Sequence, residues 1–307
     1  MTEQAPFLWA AALAARARTR DASSRMSPAK NFLIHLRLPF QALLAPFMLF
    51  GAALSRGHVS LGRFVVAFVV LHVCFYGGTT AFNSHYDKDE GPIGGLEAPP
   101  PPGTWLLPGS LVLQAIGLVV AAFIGWGFLA VCAAFAVLGV LYSHPLTRLK
   151  GKPWPSWLTV MIGQGALGAI AGVTAVEEPR VTVELALGVA AAAAIVGAIY
   201  PLSQIFQIDE DARRGDRTVA MMLGRAGTPR VAGLLFATGS ALMAFAAWRM
   251  GRTIDAALFA AAPFPLTFGV AWACRPTNDR AVFRRVALFQ ILASSAFAVY
   301  ALARLVI

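Results

Sequence analysis

The run FVVAFVVLHVCFYGGTTAF (residues 64–82) passes directly into NSHYDKDEGP (residues 83–92). Nineteen uncharged residues wound as a helix reach about 28 Å, close to the hydrocarbon thickness of a bilayer. The run therefore reads as a membrane helix, and the polar residues Asn83, Asp87, Asp89 and Glu90 gather where it leaves the membrane. A second cluster, QIDEDARRGDRT (residues 207–218), follows another apolar run in the same way. Counting Glu97, these two loops hold eight of the fifteen Asp and Glu residues of the chain. The rest of the sequence reads as a scaffold that sets the two loops face to face.

Composition agrees with a membrane scaffold. The chain of 307 residues is 58% hydrophobic and 13% charged, with a mean hydropathy of +0.66. A soluble domain carries about 25% charged residues. Apolar runs recur at residues 32–54, 61–82, 106–125, 128–146, 157–176, 183–206, 229–248, 254–273 and 287–305. The fold class is thus an all-α polytopic membrane protein of about nine transmembrane helices. Acidic loops after the second and sixth helices, four apart, suggest two four-helix halves whose loops face a central cavity. Residues 1–30 read as a polar tail with a short interfacial helix at residues 7–15, and residues 31–307 as one domain. No secretory signal is expected, because charges follow that apolar stretch rather than precede it. Cys74, Cys132 and Cys274 are widely spaced small hydrophobes without a metal or disulfide pattern.

The net charge of +10 raises nucleic acid as a partner, but its distribution argues for a membrane. With the N-terminus inside, 19 Lys and Arg fall in the tail and inward loops against six elsewhere. That is the positive-inside asymmetry, and it excludes most of the case for nucleic acid. The expected location is a multi-pass protein of a bacterial-type inner membrane. The N-terminus and the loops after helices two, four, six and eight would be cytoplasmic, and the C-terminus outside.

In the first loop, Asn83 and Asp87 stand four apart, on one helix face, with Asp89 or Glu90 reaching the same volume. An amide oxygen with several carboxylates is a hard, oxygen-only set suited to Mg²⁺; a solvated helix end is the plainer explanation. In the second loop, Gln207 and Asp211 are again four apart, Asp209 lies between them, and Asp216 falls one heptad beyond Asp209. Two acidic loops facing each other would repel unless cations lay between, and two Mg²⁺ ions bridging a diphosphate would satisfy both. The loop after helix four, YSHPLTRLKGK (residues 142–152), offers Arg148 and Lys150 to phosphate, or simply anchors the membrane. Arg37 near the inward end of helix one needs a partner to be tolerated there. Four glycines in helix five (Gly163, Gly165, Gly168 and Gly172) allow a close helix neighbour, or leave a gap for a lipid tail.

With these residues in place, the chain resembles the UbiA superfamily of intramembrane prenyltransferases from Arg37 to about Arg285. The family's Asn-Asp-x-x-Asp motif is matched by Asn83 and Asp87, and its Tyr-Ser-x-Pro…Arg-Leu-Lys loop by Tyr142, Ser143, Pro145, Arg148, Leu149 and Lys150. Its proline-rich return is matched by Pro99, Pro101 and Gly103, and its second acidic motif by Asp211, Gly215, Arg217 and Thr218. Ser84 and Gly91 stand where the family has Asp, Ala98 where it often has Arg, and Gln207 where the second motif has its first Asp. The resemblance therefore implies a divergent branch.

It also implies a chemistry: Mg²⁺-assisted ionisation of an isoprenyl diphosphate, then attack by a lipophilic, aromatic acceptor. On that analogy, Asn83, Asp87, Asp89, Gln207, Asp209 and Asp211 would hold two Mg²⁺ ions. Arg37, Tyr142, Arg148, Lys150 and Arg217 would hold the diphosphate, and Asn83, Asp87, Asp211 and Lys150 would be the catalytic set. Partners would be the isoprenyl diphosphate, the acceptor and membrane lipid. A UbiA-type terpene cyclase is the alternative. A non-catalytic ion or lipid transporter is disfavoured because ionisable groups crowd one face instead of mid-membrane.

Overall fold

The computed structural model describes residues 26–306 except Arg56, Glu90, Pro179 and Arg214. The interfacial helix expected at residues 7–15, Glu90 and Arg214 thus lie outside the described residues. Among those described, nine helices are long and apolar enough to cross a membrane. They are α1 (Pro28–Leu54), α2 (Leu61–Asp87), α3 (Leu106–Ile124), α4 (Trp126–Ser143), α5 (Pro153–Val176), α6 (Val183–Leu202), α7 (Val219–Arg249), α8 (Thr253–Ala273) and α9 (Asp279–Val306). The protein is an all-helical, multi-pass membrane protein. Large apolar side chains such as Phe123, Leu234 and Phe264 point outward, where lipid needs no polar partner.

Small residues decide how the centre packs. A Cβ added at Gly51 of α1 would meet the backbone oxygen of Ala169 at 1.8 Å, and one at Gly172 of α5 would meet that of Met48 at 1.9 Å. Only glycine lets these two backbones touch. On the same helix, Gly165 packs against the backbone of α6 at Ala192, whereas Gly163 faces Phe135 on a cavity wall. Helix packing thus accounts for Gly165 and Gly172, and space for Gly163. Around this seam Phe47, Met48, Phe75, Tyr76 and Phe128 are fully buried.

Several helix boundaries differ from the hydropathy reading, α9 among them, which starts at Asp279 instead of residue 287. Helix α2 runs on through the polar residues to Asp87, because a helix end hydrogen-bonds its own backbone whatever its side chains. Helix α6 stops earlier, at Leu202, with Pro201 in its last turn. Helix α7 starts earlier, at Val219, and kinks at Gly224 (φ 71°) before Pro229. At the opposite end from the acidic loops, a polar tie joins α8 to α9. Tyr300 donates to Asp255 Oδ2 at 3.0 Å, and Arg304 pairs with the same fully buried carboxylate.

Candidate active site

The loop-bearing ends of α1, α2, α4 and α6 surround a cavity of about 470 Å³. Its mouth is polar, with Arg37, Asn83, Asp87, Lys150, Gln207 and Asp211 on the wall. Farther along the spans the wall turns apolar, with Leu44, Phe135, Val160, Val196, Ile199 and Val286. Both acidic loops contribute, as their equivalent places in the chain suggested.

The first loop is held tightly. Continuation of α2 keeps Asn83 and Asp87 one turn apart, and Ser143 at the end of α4 donates to Asn83 Oδ1 at 3.1 Å. Asp87 forms an ion pair with Lys150, the two side chains being 2% and 12% exposed. Lys88 then takes a left-handed conformation (φ 51°) that ends the helix, and Asp89 comes back to the cavity wall. Across from it, Arg37 donates to Ser84 Oγ at 2.6 Å and lies 3.9 Å from Asp89 Oδ2. The partner expected for Arg37 is therefore a hydroxyl reinforced by a carboxylate. Arg37 is itself left-handed (φ 51°), between a helical piece ending at His35 and another starting at Leu38, where Pro39 removes an N–H. Such a conformation costs an ordinary residue about 1–2 kcal/mol. Arg37, Lys88 and Arg148 are the three non-glycine residues with positive φ among those described, and all lie beside the cavity mouth, where strain commonly accompanies function.

The second loop is arranged differently. Gln207 and Asp211 line the cavity, but Gln207 Nε2 donates to Pro92 O at 2.7 Å, and Gly91 N donates to Glu210 Oε1 at 3.4 Å. Two hydrogen bonds thus strap the first loop to the second across the mouth. Asp209 does not face the cavity. It sits on the outer side of the short helix Ile208–Arg213, 70% exposed and 3.9 Å from Arg225. The heptad relation between Asp209 and Asp216 fails because that helix ends at Arg213 and Gly215 (φ 74°) reverses the chain. Asp216 instead turns inward and accepts from Arg148 Nε at 3.1 Å and Nη2 at 2.9 Å. Neither Arg148 nor Arg217 lines the cavity; the Arg217 side chain is exposed while its backbone N donates to Gly151 O.

Tyr142 is on the cavity wall, its hydroxyl 2.8 Å from that of Tyr200. Among the described residues no three His, Cys, Asp or Glu side chains come close enough together to hold an ion. The oxygen donors form two pairs, Asn83 with Asp87 and Gln207 with Asp211, plus Asp89. That set does not make a closed protein cage. It fits a magnesium ion that keeps water and phosphate in its shell, the usual habit of that ion. The buried hydroxyls of Thr79 and Thr218 also lie on the wall without a hydrogen-bond partner among the described residues.

The sequence profile of the UbiA prenyltransferase family matches residues 44–294. The chain belongs to that family. Solved structures agree on the fold. A UbiA homologue from Archaeoglobus fulgidus bound to DMAPP and Mg²⁺ is similar with a TM-score of 0.68, at 16% identity over 90% of this chain and 99% of that one. The same protein's complex with GPP and Mg²⁺ gives 0.67 at 17%, over 90% and 100%. A UbiA homologue from Aeropyrum pernix K1 gives 0.58 at 21%, over 84% and 98%. No curated protein sequence matches the chain at a significant level.

Within this UbiA family member, Tyr200 and Gln290 are among the cavity residues that escaped the motif reading. Tyr200 begins a Tyr-Pro pair at the end of α6 that parallels Tyr142 and Pro145 at the end of α4, and that parallel was its signal. Gln290 is a single amide in an otherwise apolar stretch of α9, on the cavity wall. An isolated polar group in a membrane helix is itself a signal.

Proposed function

We propose that the protein is a Mg²⁺-dependent intramembrane prenyltransferase. It would move an isoprenyl group from an isoprenyl diphosphate to a lipophilic, aromatic acceptor and release diphosphate. The observation that carries this reading is one cavity joining a mouth of carboxylates and cations to an apolar interior. The diphosphate belongs at the mouth and the hydrocarbon tail inside. The A. fulgidus homologue's complexes with DMAPP or GPP and Mg²⁺ support the same assignment.

Four carboxylates on the wall (Asp87, Asp89, Asp211 and Asp216) outnumber its two cations, Arg37 and Lys150, so a diphosphate needs further positive charge to enter. Asn83 with Asp87, and Gln207 with Asp211, would hold two magnesium ions, with Asp89 assisting. Bound there, magnesium supplies the charge that makes diphosphate a leaving group. Lys150, already aimed at the mouth by Asp87, and Arg37 stabilise negative charge as the carbon–oxygen bond breaks. Tyr142 and Tyr200 sit where polar mouth meets apolar interior and orient the reacting carbon. Phe135, Val196 and Ile199 exclude the water that would quench an allylic cation. The positive-inside asymmetry supports a mouth on the cytoplasmic side.

The test is diphosphate release by purified protein in lipid, with geranyl, farnesyl and geranylgeranyl diphosphates, with and without Mg²⁺. Turnover that needs Mg²⁺ and disappears in an Asp87→Ala/Asp211→Ala double variant is expected. Absence of release with every donor, even with membrane extract as acceptor source, would sink the reading. Mass spectrometry of the organic product separates transfer from cyclisation.

A further inference from the structure

Two amides on the apolar part of the cavity wall, Gln164 on α5 and Gln290 on α9, are left unused by the prenyl-donor chemistry, and Gln290 is the more buried. Gln290 lies three residues into the apolar run 287–305 and five past Arg285, about 8 Å farther along α9. Its surroundings on α9, from Val286 to Ala303, contain no Asp, Glu, Lys or Arg. The side chain is 7% exposed and belongs to the cavity wall, and its Nε2 has no hydrogen-bond partner among the described residues. A primary amide donor buried without an acceptor is expensive, more so in hydrocarbon than at a surface. Its terminal torsion is soft, so a small rotation offers the N–H to whatever fills the cavity.

The neighbours narrow what that occupant can be. Leu43 and Leu44 on α1 and Val286, Ala287 and Ile291 on α9 make this part of the wall apolar. The nearby hydroxyl of Ser294 is already committed, donating to Leu43 O at 2.8 Å. The cations on the cavity wall, Arg37 and Lys150, stand at the mouth facing Asp89 and Asp87. An anionic occupant beside Gln290 would find no countercharge there, and an occupant without oxygen would leave the amide unsatisfied.

We infer that Gln290 is a specificity-determining donor for the second substrate, a lipophilic molecule presenting a neutral acceptor oxygen instead of a carboxylate or phosphate. This rests on the prenyltransferase reading for the identity of the cavity's other occupant. A phenol, quinol or quinone-like ring with an apolar substituent has the required chemistry.

The test uses the full chain in lipid nanodiscs and three probes with a common tail: decylbenzoquinone, 4-decylbenzoate and decylbenzene. Equilibrium binding and ligand-free thermal unfolding are measured for the wild type and for Gln290→Met, which keeps length and removes the donor. The quinone should bind most tightly. Gln290→Met should weaken it by about 2–10-fold, the range of one net hydrogen bond, and leave decylbenzene binding unchanged. The ligand-free variant should unfold at the same or a higher temperature, since an unsatisfied amide has been removed. Unchanged quinone affinity in the variant, or benzoate binding as tightly as quinone, would overturn the inference. So would a lower unfolding temperature with loss of decylbenzene binding, which would make Gln290 a packing residue. Diphosphate release by the same wild-type preparation reports on the prenyl-donor reading alone, so the two can fail separately.

Discussion

The two acidic loops occupy equivalent places in the chain, yet they are built in opposite ways. After α2, two carboxylates meet cations in a dry setting: Asp87 with Lys150 and Asp89 with Arg37, with both carboxylate side chains 6% exposed or less. After α6, Asp209 faces outward, Asp216 is taken by Arg148 from the neighbouring loop, and the amide of Gln207 reaches across to Pro92. The first loop is a preformed charge array on a helix end. The second is a short helix and a turn that tie three loops together and leave Gln207 and Asp211 toward the cavity. The difference teaches that symmetry of placement does not bring symmetry of role. Where the backbone remains helical, side-chain spacing is fixed; where it turns, each residue must be placed by its own contacts.

The sharpest way to break this comparison is to remove the centre of the first array. Asp87→Ala should lower Mg²⁺-dependent diphosphate release by on the order of 10²–10³-fold, the scale for losing a preorganised charge in an active site. It also leaves Lys150 buried without its partner, which destabilises. An Asp87→Ala/Lys150→Ala double variant should therefore recover thermal stability without recovering turnover. Recovery of both would mean that the pair serves only to hold the bundle.

A smaller effect is expected where the loops are tied. Arg148→Ala should reduce turnover about tenfold by freeing Asp216, the scale of one charge-assisted hydrogen-bonded pair. Asp216→Ala should match it, and the double variant should be no worse than either single. Additive losses would show that Arg148 meets the substrate directly. Gln207→Ala should cost only a few-fold, in line with one neutral hydrogen bond. Gln207→Glu separates strap from ligand, because it keeps an oxygen and loses the N–H offered to Pro92. A variant with undiminished turnover would make Gln207 a metal ligand first.

Much of this was legible in the sequence. Bilayer-length runs without charge fixed the number of spans, since hydrocarbon tolerates little else. Asn83 and Asp87 could be paired by helical spacing because α2 does continue through them. Past Leu202 that reasoning lost its footing. The relation of Asp209 to Asp216 assumed a helix that Gly215 interrupts, and no periodicity reveals which way a turn sends its side chains. Arg148 and Arg217 carried the right charge and motif, but charge alone does not say whether a guanidinium will meet a ligand or a neighbouring carboxylate. Gln290 was missed because its signal is one amide in an apolar run, which no spacing or motif repeats.

The smallest expected effect tests the comparison from its quiet side. Asp209 is 70% exposed and 3.9 Å from an Arg225 that also pairs with Asp279 at 3.0 Å. Exposed pairs of this kind contribute little, so Asp209→Ala should leave turnover within about twofold of wild type. Arg217→Ala should behave alike, its side chain being exposed and off the cavity wall. Asp211→Ala, two residues from Asp209 but on the inner face, should instead approach the loss seen for Asp87→Ala. The contrast within one six-residue helix is the informative quantity, because both variants alter the loop's net charge equally. Equal and large losses at Asp209 and Asp211 would mean that the helix Ile208–Arg213 rotates when substrate enters, bringing its outer face to the mouth.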